Sequence, residues 1–144
     1  MTTTVLAILK RKGHRVITVT PDHGIAAVAD LLTSHRIGCI PVVDPGNHII
    51  GMISERDIVR GISQHGGSIT GARVETLMTT AITTCTPTDT VVALMEVMTE
   101  RRIRHLPVIW DGQLHGMISI GDLVKARLDE AQQEVDALRS YIAS

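Results

Sequence analysis

Residues Gly51–Asp57 read GMISERD, and residues Gly116–Asp122 read GMISIGD, 65 positions later (116 − 51). Upstream of each stretch, Thr20–Val43 aligns with Thr86–Ile109 at a shift of 66 (86 − 20). Self-similarity at a fixed period determines the architecture of a chain. Two copies are too few for a solenoid. We therefore predict one pseudo-symmetric pair of small structural units.

The composition limits the classes of protein to which the chain can belong. It has 144 residues, of which 44% are hydrophobic, yet Phe is absent and Trp and Tyr occur once each. The core must therefore consist of aliphatic residues and Met. A formal net charge of −1 provides no bulk field that would attract nucleic acid or an anionic membrane. No apolar run approaches the roughly 20 residues that span a bilayer, and residues 1–4 lack the basic start of a signal peptide. We expect a cytoplasmic protein that binds neither nucleic acid nor membranes.

The reactive residue types form no recognisable catalytic or metal-binding pattern. Cys39 and Cys85 lie in segments that read as buried strands, and two free thiols are expected. The seven His residues show no ligand-like spacing with Cys or carboxylates. No Ser-His-Asp order or pair of catalytic carboxylates is evident, and the pair Gly66-Gly67 lacks the Gly-Lys-Ser ending of a phosphate loop. We expect neither enzymatic activity nor a metal.

Hydrophobic periodicity in the first copy predicts helix, strand, helix, strand, strand and helix in that order. Asp22 is the predicted N-cap of the second helix. Ser54 and Asp57 form a pair like a capping box at the start of the third helix. The glycine-rich, flexible-looking stretch 65–71 marks the boundary between the copies. The predicted ranges are Thr4–Lys12, Arg15–Thr20, Gly24–Arg36, Ile40–Val43, Ile49–Ile53, and Ser54 to about His65.

The second copy repeats this order from the first strand onward and ends in a longer helix. The tight turn Asp111-Gly112 joins its last two strands. The last helix keeps an apolar stripe well beyond the length of its counterpart, and that stripe needs a partner. We therefore predict a homodimer. The predicted ranges are Ile82–Cys85, Asp89–Arg102, Leu106–Trp110, Leu114–Ile118, and Ser119 to about Ile142.

A β-α-β-β-α unit that contains Ile-x-x-[Ile/Leu]-Pro-Val and then Gly-Met-Ile-Ser-x-x-Asp resembles the CBS domain. Two in tandem resemble a CBS pair, the Bateman module, and the resemblance covers about residues 12–130. It implies an α/β (α+β) fold in which two pseudo-symmetric repeats pack through their sheets. We expect the first repeat at 12–65, a linker at 66–74, the second repeat at 75–130 and a C-terminal helix extension at 131–144.

The resemblance implies a role for each Ser-x-x-Asp pair. In CBS domains this motif recognises the ribose and phosphate of adenosine nucleotides, and both Ser54/Asp57 and Ser119/Asp122 match it. A Ser at a helix start places a hydroxyl beside free backbone N–H groups, which favours phosphate. A carboxylate one turn later can accept both hydrogen bonds of a cis-diol. The alternative is that each pair only caps its helix.

The resemblance also places further positions around the ligand. Adenine lies between apolar residues and strand backbone, although ordinary core packing would explain the same residue types. The matching positions are Ile17, Ile37, Ile40 and Pro41 in the first copy, and Thr83, Ile103, Leu106 and Pro107 in the second.

Positively charged candidates for phosphate contact differ between the copies. Arg104 and His105 match positions that often supply such groups, whereas their first-copy counterparts are Gly38 and Cys39. Arg56 lies inside the first motif. We therefore expect two unequal pockets, and we expect Arg104 and His105 to serve the Asp122 pocket. A charged helix end is the alternative explanation for Arg104 and His105.

These observations favour a non-enzymatic regulatory module that senses energy or redox state. AMP or ADP are the first candidates, because few basic residues are available for the triphosphate of ATP. NAD is a further candidate, since its adenosine half would satisfy the same Ser/Asp pairs. No cofactor is required, and the regulated protein is unknown. The competing interpretation is a protein-interaction adaptor with empty pockets.

Overall fold

The computed structural model describes residues 2–143, which form helices and two small sheets. This mixed α/β architecture with two repeats confirms the predicted fold class. The helices are α1 Val5–Lys12, α2 Ile25–His35, α3 Glu55–His65, α4 Val74–Leu77, α5 Val91–Arg101 and α6 Ile120–Ala143. The strands are β1 Cys39–Val43, β2 Ile49–Ser54, β3 His105–Trp110 and β4 Gln113–Ser119, paired as β1–β2 and β3–β4.

The chain divides into two compact units. The first unit contains residues 16–83 and 111–114, and it carries the Ser54 motif. The second unit contains residues 2–15, 84–110 and 115–143, and it carries the Ser119 motif. Helix α1, the first element of the chain, therefore folds with the second copy of the repeat. The predicted repeat boundaries, from residue 12 to residue 144, stay a prediction; Ser144 lies outside the described residues.

The motif glycines allow a helix or its flanking segment to approach each sheet closely. In the first unit, a Cβ at Gly51 would lie 2.8 Å from the sulfur of Met78, just after α4. In the second unit, a Cβ at Gly116 would lie 2.7 Å from Cδ2 of Leu9 in α1. A Cβ at either position would force the neighbouring Met78 or Leu9 side chain to shift. The first residue of each Gly-Met-Ile-Ser motif is therefore the residue that fits this close packing without rearrangement.

Both predicted hairpins are present. β1 and β2 are antiparallel, with Cys39 opposite Ser54, and a register shift falls between Val42 and Val43. The β3–β4 turn places Asp111 at φ 52° and Gly112 at φ 73°. Positive φ at both central residues matches the twist of a two-residue hairpin turn.

The two predicted leading strands, Arg15–Thr20 and Ile82–Cys85, are wrong. Each reduces to a single parallel bridge, Val19 with Val42 and Cys85 with Val108. Val19 N–H donates to Pro41 O (3.1 Å) and Cys85 N–H donates to Pro107 O (2.9 Å). The next bond of each ladder would need a donor at that proline, which has none. Proline therefore stops the pairing at the same place in both copies.

The predicted helix starts are mostly confirmed. Ser54 and Asp57 make both bonds of a capping box at the start of α3. Asp22 does not cap α2, because Gly24 is its N-cap. The Asp22 carboxylate instead accepts a hydrogen bond from the Thr20 hydroxyl. The boundary stretch 65–71 contains a short 3₁₀ helix, Gly67–Gly71, with Ile69 buried.

Each unit has its own aliphatic core. The two cysteines are free, as predicted; Cys85 is buried and Cys39 is half-buried. No helix among residues 2–143 is both long enough and apolar enough to cross a membrane. The fully buried residues include Val19, Ile25, Val28, Ile40, Val42, Ile53 and Val74 in the first unit, and Val5, Leu9, Val91, Leu106, Val108, Ile118 and Leu123 in the second.

Candidate functional site

The second-repeat site is built at the start of α6. Ser119 N–H donates to Oδ2 of Asp122 (2.9 Å), and Asp122 N–H donates to Oγ of Ser119 (3.1 Å). These bonds orient the carboxylate beside the first turn of the helix. Oδ1 of Asp122 has no hydrogen-bond partner among residues 2–143, and 23% of the side chain is exposed. One carboxylate oxygen is therefore available to a ligand.

Lys12, the last residue of α1, adds a positive charge to this site. Its Nζ donates to Oδ2 of Asp122 (2.7 Å) and to the carbonyl of Met117 (2.8 Å). Sequence reasoning missed Lys12, because it lies 110 residues before Asp122. No pattern in the sequence links the two positions; only the packing of α1 in the second unit does.

The environment of Asp122 favours its ionised form. Partial burial alone would raise the pKa of Asp122. Hydrogen bonds from Lys12 and the Ser119 amide, together with the positive charge of Lys12, outweigh burial and hold the pKa below its usual value. The carboxylate is therefore charged at neutral pH and able to accept hydrogen bonds.

Backbone pairing places Arg104 next to the same helix start. Ile120 N–H, at the first turn of α6, donates to the carbonyl of Arg104 (2.9 Å). The Arg104 side chain is exposed, and His105 is half-buried at the start of β3. The backbone of Arg104 thus lies beside the first turn of α6. That Arg104 and His105 serve the Asp122 pocket stays a prediction.

The second-copy residues predicted to contact adenine differ in burial and in the unit to which they belong. Ile103 is half-buried and packs against the core of the second unit. Leu106 and Pro107 are buried in β3, so their side chains belong to the core and only their backbone could face a ligand. Thr83 is half-buried and belongs to the first unit.

The first-repeat site is more closed. Oδ2 of Asp57 accepts from the backbone N–H (2.9 Å) and the hydroxyl (3.0 Å) of Ser54. Oδ1 accepts from the hydroxyl of Thr79 (3.1 Å) and lies 3.5 Å from Nη1 of Arg60. The Asp57 side chain is only 6% exposed. Both oxygens are thus used within the protein. Sequence reasoning missed Thr79 and Arg60, although the i, i+3 spacing of Arg60 was visible.

The remaining first-copy candidates differ in burial, and none of them is a hydrogen-bond partner of the Asp57 carboxylate among residues 2–143. Glu55 N–H donates to the carbonyl of Gly38 (3.0 Å). This bond is equivalent to the one from Ile120 to Arg104 in the second copy, but Gly38 has no side chain that could supply a positive charge. Arg56 is exposed. Ile17 and Ile37 are half-buried against the core of the first unit, whereas Ile40 and Pro41 are buried in β1.

Cys39 replaces His105 in the first copy and supplies no charge. It lies opposite Ser54 across the β1–β2 hairpin. Burial, reinforced by the negative charge of Asp57, raises the pKa of Cys39 to about 12. The thiol is therefore protonated at neutral pH and cannot act as a nucleophile or metal ligand in that state. No cluster of three or more His, Cys, Asp or Glu suited to a metal occurs within residues 2–143.

The equivalent residues Met52 and Met117 show how the two sites differ. In the first unit, Met52 exchanges two backbone hydrogen bonds with Thr79 (2.9 and 2.8 Å). In the second unit, the carbonyl of Met117 accepts from the ammonium of Lys12. The neutral backbone of Thr79 therefore pairs with Met52 in the first site, where the ammonium of Lys12 binds the equivalent Met117 in the second.

Comparison with known proteins identifies relatives along nearly the whole chain. The CBS domain family matches twice, at residues 5–64 and 74–129. The mitochondrial CBS domain-containing protein CBSX3 of Arabidopsis thaliana is 36% identical over 148 residues, which cover 97% of this chain and 72% of the plant protein.

Solved structures show the same likeness. A CBS-domain protein from Agrobacterium tumefaciens is 42% identical, with a TM-score of 0.83, over 87% of this chain and 99% of that chain. A CBS domain pair solved with 5′-methylthioadenosine and S-adenosyl-L-methionine is 25% identical, with a TM-score of 0.76, over 86% of this chain and 98% of that chain. The chain therefore belongs to the CBS domain family and is a tandem CBS pair.

Proposed function

We propose that this protein is a non-enzymatic regulatory module that binds an adenosine nucleotide and transmits its occupancy to a partner protein. The observation that carries the proposal is the Asp122 carboxylate. It is ionised, partly exposed and oriented by Ser119, and it keeps one oxygen without a partner among the described residues.

The chemistry of this site matches the two polar parts of a nucleotide. Oδ1 of Asp122 is free to accept a hydrogen bond from a ribose hydroxyl. Lys12 supplies positive charge beside Asp122, at the first turn of α6, where backbone N–H groups also favour an anion. The backbone of Arg104 lies at the same turn, and its exposed guanidinium would add a second positive charge. Adenosine with one or two phosphates meets both requirements.

The Ser54/Asp57 site is the weaker of the two in this proposal. A ribose there would have to displace Thr79 or Ser54 from a buried carboxylate. Each displaced hydrogen bond to a charged group costs about 1.5–3 kcal/mol unless the ligand replaces it. Arg56 is the positive side chain that the first motif itself offers to a phosphate.

AMP and ADP remain the first candidates for the ligand. The related CBS pair solved with 5′-methylthioadenosine and S-adenosyl-L-methionine binds two adenosine compounds, which supports adenosine as the common part. NAD would satisfy the same ribose contact. The second candidate function is an adaptor whose pockets stay empty. The closed capping box of Asp57 favours this function for the first site.

Thermal unfolding with AMP, ADP, ATP, NAD and adenosine tests the proposal. A ligand at 100-fold above its dissociation constant should stabilise the protein by about 2.7 kcal/mol. Arg104→Ala should weaken the stabilisation by AMP and leave that by adenosine unchanged, because only AMP has a phosphate. No stabilisation by any of these compounds at millimolar concentration would favour the adaptor.

A further inference from the structure

Helix α6 continues beyond the repeat to which it belongs. It runs for 24 residues, from Ile120 to Ala143, whereas the CBS match ends at residue 129. All residues from 131 to 143 are exposed. An isolated helix of about 12–15 residues is marginal in water. Packing of residues 131–143 against a partner would therefore stabilise this end of α6.

The first turns of α6 contact their own unit through one face only. Leu123, Ala126 and Glu130 are the buried residues of the helix. Glu130 Oε1 accepts a hydrogen bond from Thr3 N–H (2.8 Å), and Asp129 pairs with Arg11 (3.2 Å). These residues fix the helix on its unit.

A second, exposed face of α6 carries a regular apolar stripe. Its residues lie at positions 124, 128, 131, 135, 138 and 142, so the steps alternate as 4, 3, 4, 3 and 4. This is the a/d pattern of a coiled coil. The large members are between 40% and 81% exposed. The stripe consists of Val124, Leu128, Ala131, Val135, Leu138 and Ile142.

We propose that α6 pairs with α6 of a second copy of this chain as a parallel, in-register coiled coil along this stripe. In this register Leu128, Val135 and Ile142 occupy a positions, and Val124, Ala131 and Leu138 occupy d positions. The C-terminal part, with β-branched Val135 and Ile142 at a and Leu138 at d, has the pattern that favours two parallel strands. The proposal is independent of nucleotide binding.

The flanking charges select the parallel orientation. Glu134 occupies a g position and Arg139 the e position of the next heptad, so each Glu134 faces Arg139 of the other copy in a parallel pair. In an antiparallel pair that buries the same stripe residues, Glu134 would face Glu134 of the other copy and Lys125 would face Arg139 of the other copy. Like charges would then meet on both sides of the seam. Charge complementarity therefore identifies a second copy, in parallel, as the occupant.

Cysteine cross-linking tests the orientation directly. In full-length Leu138→Cys, the two introduced thiols would meet across the seam, and mild oxidation should convert most of the protein into a covalent dimer. Ala137→Cys is the matched control, because residue 137 lies on the face away from the stripe and should stay monomeric on a denaturing gel. The native thiols are poor competitors, since burial raises the pKa of both Cys39 and Cys85 to about 12.

Charge reversal provides a second test by sedimentation equilibrium. Glu134→Arg and Arg139→Glu should each weaken dimerisation several-fold, and the double variant should restore it, because only the double variant re-forms the pairs between copies. Circular dichroism should show an unchanged fold. A monomeric wild type at micromolar concentration, equal cross-linking at 137 and 138, or absence of rescue in the double variant would each overturn the proposal.

Discussion

Asp57 and Asp122 occupy equivalent positions, yet their carboxylates have different surroundings. Asp57 is buried and binds Ser54, Thr79 and Arg60. Asp122 is partly exposed and binds Ser119 and Lys12. The repeated Ser-x-x-Asp motif was evident from the sequence. The difference between the copies was not, because Thr79 and Lys12 reach the motif through tertiary packing from distant positions.

The first residue-scale prediction concerns stability. Asp57→Ala should lower the free energy of unfolding by about 2–3 kcal/mol, because it removes the helix cap and leaves buried polar groups without a partner. Asp122→Ala should cost only about 1 kcal/mol, since water can replace the lost bonds at an exposed site. Urea unfolding of both variants measures the difference, and equal losses would contradict the burial argument.

The second residue-scale prediction concerns pH. A carboxylate with a depressed pKa stabilises the folded state above its unfolded pKa, and this contribution is lost as pH falls through the folded pKa. Lys12→Ala should raise the pKa of Asp122 relative to the wild type. It should also reduce stability at neutral pH by less than about 1 kcal/mol, because the ion pair is partly exposed.

This stability difference should disappear as the pH falls below 3.8, the ordinary pKa of an Asp side chain. NMR titration of the Asp122 carboxyl carbon measures the pKa, and urea unfolding across the pH range measures the stability. Lys10→Ala is the control, since Lys10 is an exposed basic residue on the same helix. An unchanged Asp122 pKa in Lys12→Ala would show that the ion pair does not form in solution.

At the scale of elements, periodicity and capping residues predicted most helices and both hairpins. The predictions of elements and caps that were wrong have local causes. Pro41 and Pro107 lack the N–H that would extend the leading strands, and the Asp22 carboxylate bonds to Thr20 instead of capping α2. Helix α1 belongs to the second unit, where its Leu9 packs closely against Gly116. No local pattern in the sequence reveals this placement.

The element-scale prediction tests this packing. Gly116→Ala should destabilise the protein by about 1–3 kcal/mol, because the new Cβ would lie 2.7 Å from the fully buried side chain of Leu9. Gly121→Ala is the control, since its nearest neighbour would be 3.6 Å away and Ala favours the helix. Thermal unfolding compares the two. A neutral effect of Gly116→Ala would show that α1 is not held closely against β4.

At the scale of the whole molecule, the repeat in the sequence predicted a CBS pair, and the family match confirms it. The inequality of the two sites was also predicted, from Arg104 and His105 alone. The structure adds two causes that the sequence did not reveal, namely the closed carboxylate of Asp57 and the ammonium of Lys12 beside Asp122. The cytoplasmic location of the protein and the existence of a regulated partner stay predictions.

Titration calorimetry with AMP tests the central claim most directly, with wild type, Asp122→Asn and Asp57→Asn compared at one pH. The Asn variants preserve side-chain size, remove the negative charge and replace one acceptor oxygen by an NH2 donor. We expect wild type to bind AMP, Asp122→Asn to lose the tighter binding event by at least about ten-fold, and Asp57→Asn to retain it. Absence of binding heat in the wild type at millimolar AMP, or loss of the tighter event in Asp57→Asn rather than in Asp122→Asn, would contradict the account.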